Sequence, residues 1–138
     1  MRREVEDGME KLSSLECESL LKAGGVGILA LSGVSEPVLR PINFVVHDKA
    51  IVIRTGEGQI LEAAQGCEPA SFVICETNSL EHSGVSVVVT GKLFETSSIG
   101  AISELPLRPW ARAAKHHFVV LSMDCVSGRR LAEPWERF

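Results

Sequence analysis

Residues 37–64 read PVLRPINFVVHDKAIVIRTGEGQILEAA, and the order of apolar, turn and glycine positions in this stretch decides the fold. Two runs rich in branched apolar residues, 37–47 and 50–55, flank Asp48-Lys49. That spacing suits a two-residue hairpin loop between antiparallel strands. The second run ends in Arg54-Thr55, Gly56 and Gly58 free the backbone, and a short helix is predicted from about Gly58 to Gln65. If the hairpin register continues, Asn43 faces Arg54 and Arg40 faces Glu57. Arg40 then sits beside the glycine loop, either in a surface ion pair with Glu57 worth less than about 1 kcal/mol or as a second cation for an anion. Loop amides leading into a helix attract anions. Arg54 adds forked donors and Thr55 a hydroxyl, although a solvated arginine beside a plain turn fits the pattern as well. Pro41 withholds an N–H from the ladder, which places its strand at an edge or a bulge. Such an edge leaves backbone groups that a planar heterocycle can use.

Working outward, Ser13 and Glu16 form a capping-box signature before a helix over 13–23, with Leu12, Leu15, Leu20 and Leu21 as its apolar side and Gly24-Gly25 as its stop. Further strands are predicted over 26–32, 70–76, 83–95 and 116–126, a short helical piece near 97–105, and a tail from 127. Six strands with few helices point to a mainly β fold, a small antiparallel barrel with helical covers. Parallel α/β is excluded because helices for the crossovers are lacking. The 138 residues suit one domain, 1–138, with 1–11 as a flexible N-terminal segment.

The same sequence closes off several function classes. A net charge of −4 without clustered cations argues against nucleic acid as the partner. No apolar run is long enough to span a bilayer, and the charged start MRREVEDGME lacks a signal core. Cys17, Cys67, Cys75 and Cys125 lack metal-ligand or redox-motif spacing, so they are expected as reduced thiols in the cytoplasm, and no metal site is expected. His116 and His117 are strand neighbours that face opposite ways and cannot chelate one ion together. Gly84-x-Ser86 lacks the rest of a nucleophile elbow. Gly56-x-Gly58 does not extend to a dinucleotide fingerprint, since residue 61 is Leu.

Taken together, RPINFVV (40–46), IVIRTGEG (51–58), SGVSVVVTGKLFE (83–95) and LPLRPWARAAKHHFVVLSMDCVSGRRL (105–131) resemble the pyridoxamine 5′-phosphate oxidase-like family of flavin-binding split β-barrels, in particular its small actinobacterial-type members. The likeness runs from about Leu12 to Leu131 in order and spacing. It implies a six-stranded antiparallel split barrel that forms a homodimer, with flavin mononucleotide (FMN) in a groove at the subunit interface. The flavin ring would lie along Arg40, Pro41, Ile42 and Asn43. Arg54, Thr55 and the turn Gly56–Gln59 would hold the phosphate. The strand Val73–Glu76, with Cys75, would line the groove, and Trp110 and His117 would lie near the interface. Where relatives read Arg-Thr-x-x-Gly-x-Lys-Leu, this chain has Ile60 at the lysine; losing a cation there removes roughly 1.5–3 kcal/mol, about ten- to a hundredfold in affinity. It also has Val85 where they tend to carry Trp.

The resemblance implies an FMN-dependent oxidoreductase acting on a small-molecule substrate, with no nameable catalytic residue, since the cofactor supplies the chemistry. Branches of this superfamily hold a deazaflavin, biliverdin or haem. The alternative is therefore a non-catalytic binding or storage module for a deazaflavin or tetrapyrrole, or a purely structural homodimer. The tail RRLAEP matches a C-terminal element of the true pyridoxamine phosphate oxidases without the rest of their substrate pattern, so that reaction is not assigned.

Overall fold

The computed structural model describes residues 5–6, 9–33, 35–78, 80, 83–96 and 117–131. Their elements, in chain order, are β1 (Val5–Glu6), β2 (Met9–Lys11), α1 (Ser14–Lys22), β3 (Gly25–Leu31), β4 (Val38–His47), β5 (Ala50–Thr55), α2 (Gln59–Gln65), β6 (Pro69–Asn78), β7 (Ser83–Thr96), β8 (His117–Ser122) and β9 (Cys125–Leu131). Trp110, His116 and the helical piece expected near 97–105 lie outside the described residues.

The β4–β5 hairpin forms as its sequence predicts. Asp48 and Lys49 have φ of 48° and 57°, both left-handed, as a two-residue turn matching strand twist requires. His47, Val46 and Val45 pair with Ala50, Ile51 and Val52. The ladder then stops, and the two strands part: β5 continues along β8 to Thr55, while β4 runs along β3 from Val38 to Phe44. Arg40 therefore faces Leu29 and Asn43 faces Val26, in place of the expected Glu57 and Arg54. Pro41, which cannot donate, sits where β4 has already lost β5.

The strand order β7-β6-β3-β4-β5-β8 closes when β8 pairs back onto β7, giving the six-stranded antiparallel barrel expected from the sequence. β9, β2 and β1 extend the sheet beyond β7, so Met9–Lys11 add a strand against Leu131–Arg129. Residues 117–126, within the single strand expected over 116–126, are not one regular strand. β8 and β9 follow the same edge of β7, but Leu93 faces Leu121 while Thr90 faces Cys125. The β8–β9 side thus carries one residue more, a bulge at Met123-Asp124 that reverses which side chains point inward. Gly91 makes it possible: a Cβ there would lie 1.8 Å from the Ser122 carbonyl oxygen. The segment read as tail continues in the sheet to Leu131.

The barrel is filled by Leu29, Phe44, Phe72, Ile51, Ile53, Val87, Val89, Leu93, Val119 and Leu121. Phe44 and Phe72 meet edge to face at 4.8 Å, and a side chain on Gly27 would collide with the Phe72 ring. On α1 the capping box is made in both directions, Ser13 Oγ accepting from Glu16 N–H and Glu16 Oε1 accepting from Ser13 N–H. Cys17 and Leu21 are its buried residues, and burial pushes the Cys17 thiol up. Leu15, expected on the apolar side, is 76% exposed. Helix formation from Ser14 puts it on the same face as Glu18 and Lys22, both exposed. Among the described residues no helix is long and apolar enough to cross a membrane.

Candidate functional site at the β5–α2 loop

β5 delivers its last two side chains to opposite sides of the barrel wall. Ile51, Ile53 and Thr55 face Leu121, Val119 and His117 on one side, while Arg54 faces Phe118 on the other. Thr55 is buried, and its hydroxyl donates to the Gly56 carbonyl at 3.3 Å. Arg54 is exposed, its guanidinium carbon 5.8 Å from the centre of the Phe118 ring, within range of a cation–π contact. The loop Gly56–Gly58 follows. Gly58 has φ 145°, and nothing lies within 4 Å of where its Cβ would be. A bare backbone is thereby presented to open space, in a conformation nearly restricted to glycine.

Side chains on the inward side gather at this end of the barrel, under α2. Arg40 donates to Gln59 Oε1 at 3.0 Å and to the Leu39 carbonyl at 3.1 Å, so it reaches the loop despite pairing elsewhere along β4. His117 lies between two carboxylates: Nδ1 is 2.8 Å from Glu95 Oε2, and Nε2 is 3.2 Å from Glu57 Oε1. The Glu95 contact, helped by Glu57, raises the His117 pKa above its ordinary value. At the far end of α2, Gln65 donates to Glu95 Oε1 at 3.5 Å. Ile60 turns back onto the barrel core, as does Ile42.

The remaining expected residues lie on the outer surface. Pro41, Ile28, Val73 and Val88 form one row across β4, β3, β6 and β7, with Ile28 42% and Val88 37% exposed. Asn43, half-buried, follows Pro41 on the same side of β4. Cys75 is a free, exposed thiol opposite Ser86, in an open groove of about 330 Å³ that also takes in Met9, Arg129 and Leu131. β3 and β4 separate it from β5, so one chain does not bring Cys75 to Arg54. Sequence reading missed Glu57 and Glu95 as partners of His117. Glu57 lay inside the quoted loop, but Glu95 comes close only through the β7–β8 ladder.

The family model described as pyridoxamine 5′-phosphate oxidase matches residues 13–130. The chain belongs to that family. It is similar to an uncharacterized protein of Mycobacterium tuberculosis, 28% identical over 123 residues that cover 84% of this chain and 81% of that one. A solved FAD-binding protein of Mesorhizobium loti is 25% identical, with a TM-score of 0.74 over 91% of this chain and 98% of its own. A FAD-binding protein of Mycobacterium smegmatis, also 25% identical, has a TM-score of 0.70 over 88% and 96%. Within this family frame, the pyridoxamine 5′-phosphate oxidase-like split barrel is present from α1 to β9, and Ile60, at the position for which the resemblance implies lysine, packs on the core.

Proposed function

We propose that this chain is a cytoplasmic, homodimeric flavoprotein oxidoreductase that binds FMN, with the flavin phosphate at the β5–α2 loop. The observation that carries the reading is the open Gly56–Gly58 backbone flanked by the Arg40–Gln59 pair on the inward side and by Arg54, the residue two before the loop, on the outward side. This donor set, two guanidinium groups, a side-chain amide and exposed loop amides, has the chemistry that phosphate selects. Two of its structural neighbours are FAD-binding proteins, and FAD shares the ribityl 5′-phosphate with FMN. A bound flavin supplies hydride or electron transfer; the protein's residues orient and tune it. The row Pro41, Ile28, Val73 and Val88 offers an apolar face for a second copy, next to the ring position along β4. Four free cysteines suit a reducing compartment.

The test is titration of the purified protein with FMN, FAD, riboflavin and a deazaflavin, followed by fluorescence. Saturable FMN binding at micromolar levels is expected, weakened ten- to a hundredfold by Arg54→Ala at about 1.5–3 kcal/mol, with riboflavin unaffected. Equal losses for both ligands would move the phosphate elsewhere. The second reading, a binding module for a deazaflavin or tetrapyrrole without turnover, is favoured by the Glu57 carboxylate in the loop and by Ile60, which put one negative charge in and take one positive charge out. Saturable binding of such a ligand without flavin binding selects it.

A further inference from the structure

His117 joins three parts of the barrel end. Its ring contacts Glu95 at the end of β7 and Glu57 in the glycine loop, and Gln65 of α2 reaches the same Glu95. A neutral imidazole has one N–H and can donate to one carboxylate; an imidazolium donates to both. The two carboxylates bind opposite ring nitrogens, so the trio does not converge on a common metal ion, and among the described residues no such cluster exists. Three groups near this end of the barrel have partners of their own. Thr55, opposite it on β5, bonds the Gly56 carbonyl, Arg40 is held by Gln59, and Arg54 lies across the wall over Phe118.

We infer that His117 is a positioning residue of the β5–α2 loop, pinning Glu57 to the barrel end and neutralising the one carboxylate in the loop that would otherwise repel an incoming phosphate. This rests on the phosphate placement proposed above. The loop has Ile60 where the resemblance implies lysine, and it carries Glu57; the imidazolium contact at Nε2 offsets the charge of Glu57 alone. The sign of the pH dependence follows from the raised pKa. The bridge is whole below the ordinary histidine value of 6.5 and is lost as pH rises through the raised one. Glu57, with an exposed side chain and the longer contact, is the partner released.

The experiment compares FMN with riboflavin from about pH 6.5, the ordinary histidine value, up to about pH 9, with the second phosphate ionisation near 6 shared by all variants. The affinity ratio is expected to fall about threefold across this range in the wild type, the size of one screened carboxylate. In His117→Gln it should be flat at the lower level, and in Glu57→Gln flat at the higher. A flat wild-type ratio, or a Glu57→Gln variant that keeps the fall, overturns the inference while leaving the phosphate reading intact. No preference for FMN at any pH overturns the phosphate reading. Pinning itself is then read without flavin, from amide-exchange protection at residues 56–58. Protection lost with rising pH in the wild type, and absent throughout in His117→Gln, supports it; protection indifferent to both overturns it.

Discussion

The two halves of β7 have different neighbours and different duties. Its C-terminal half, Leu93 to Thr96, is closed by β8 and ends in the hydrogen-bonded knot of Glu95, His117 and Glu57. Its N-terminal half, Val85 to Thr90, is flanked by β9 and carries the exposed Val88 in a row with Val73 and Ile28. Closure of the barrel produces convergent polar groups, because the strand ends Thr55, Thr96 and His117 come together and cannot all turn to the apolar interior. The open half spreads side chains over a flat face, which suits association more than ligand capture.

The sharpest way to break this division is at its boundary. Gly91→Val places carbon against the Ser122 backbone, which cannot withdraw without undoing the bulge. It should cost about 3 kcal/mol or more, measured by urea denaturation, and an unchanged midpoint would mean that the halves are not joined there. On the open half, Val88→Glu puts a charge in the apolar row and should raise the dissociation constant of the proposed dimer about tenfold, roughly 1.4 kcal/mol, in sedimentation experiments. FMN selectivity over riboflavin should survive, and a dimer indifferent to the change lies on another face. The smallest effect is expected on the closed half from Ile60→Lys. The new stem must leave the core contacts of Ile60 and snorkel to the loop, so FMN should tighten only about threefold, less than one full charge-assisted hydrogen bond would give. Equal tightening of riboflavin would place the lysine away from phosphate.

How legible each part was depended on how local its cause is. The Asp48-Lys49 turn and the Ser13–Glu16 box lie within a few residues of the groups they satisfy, and both were readable from their own segments. The bulge was not, because what permits it, Gly91, sits on another strand. Leu15 was misplaced for a local reason: the helix buries the face of Cys17 and Leu21, and six residues from Leu21 is not a same-face spacing at 3.6 residues per turn. At the site, Arg54, Thr55 and the glycine loop were legible as a contiguous run. Yet the run splits across the wall, with Thr55 inside and Arg54 outside, and Arg40 meets Gln59 without the strand pairing first used to put it there. The partners of His117 come from two other segments, so nothing near residue 117 could announce them.

The extra residue at Met123-Asp124 also acts as a reading-frame element for side chains. Upstream of it the odd-numbered Val119 and Leu121 are buried; downstream the even-numbered Val126 and Gly128 take that direction. Straightening the ladder to β7 with that residue kept would set Ser127 and Arg129 opposite Val87 and Val85 and turn them toward Leu12 and Cys17, which now press on Gly128; deleting one residue would remove the bulge and leave Gly128 in place. A one-residue slip of the ladder at this corner is therefore translated into a polarity swap along a whole strand, and the bulge is what holds the frame.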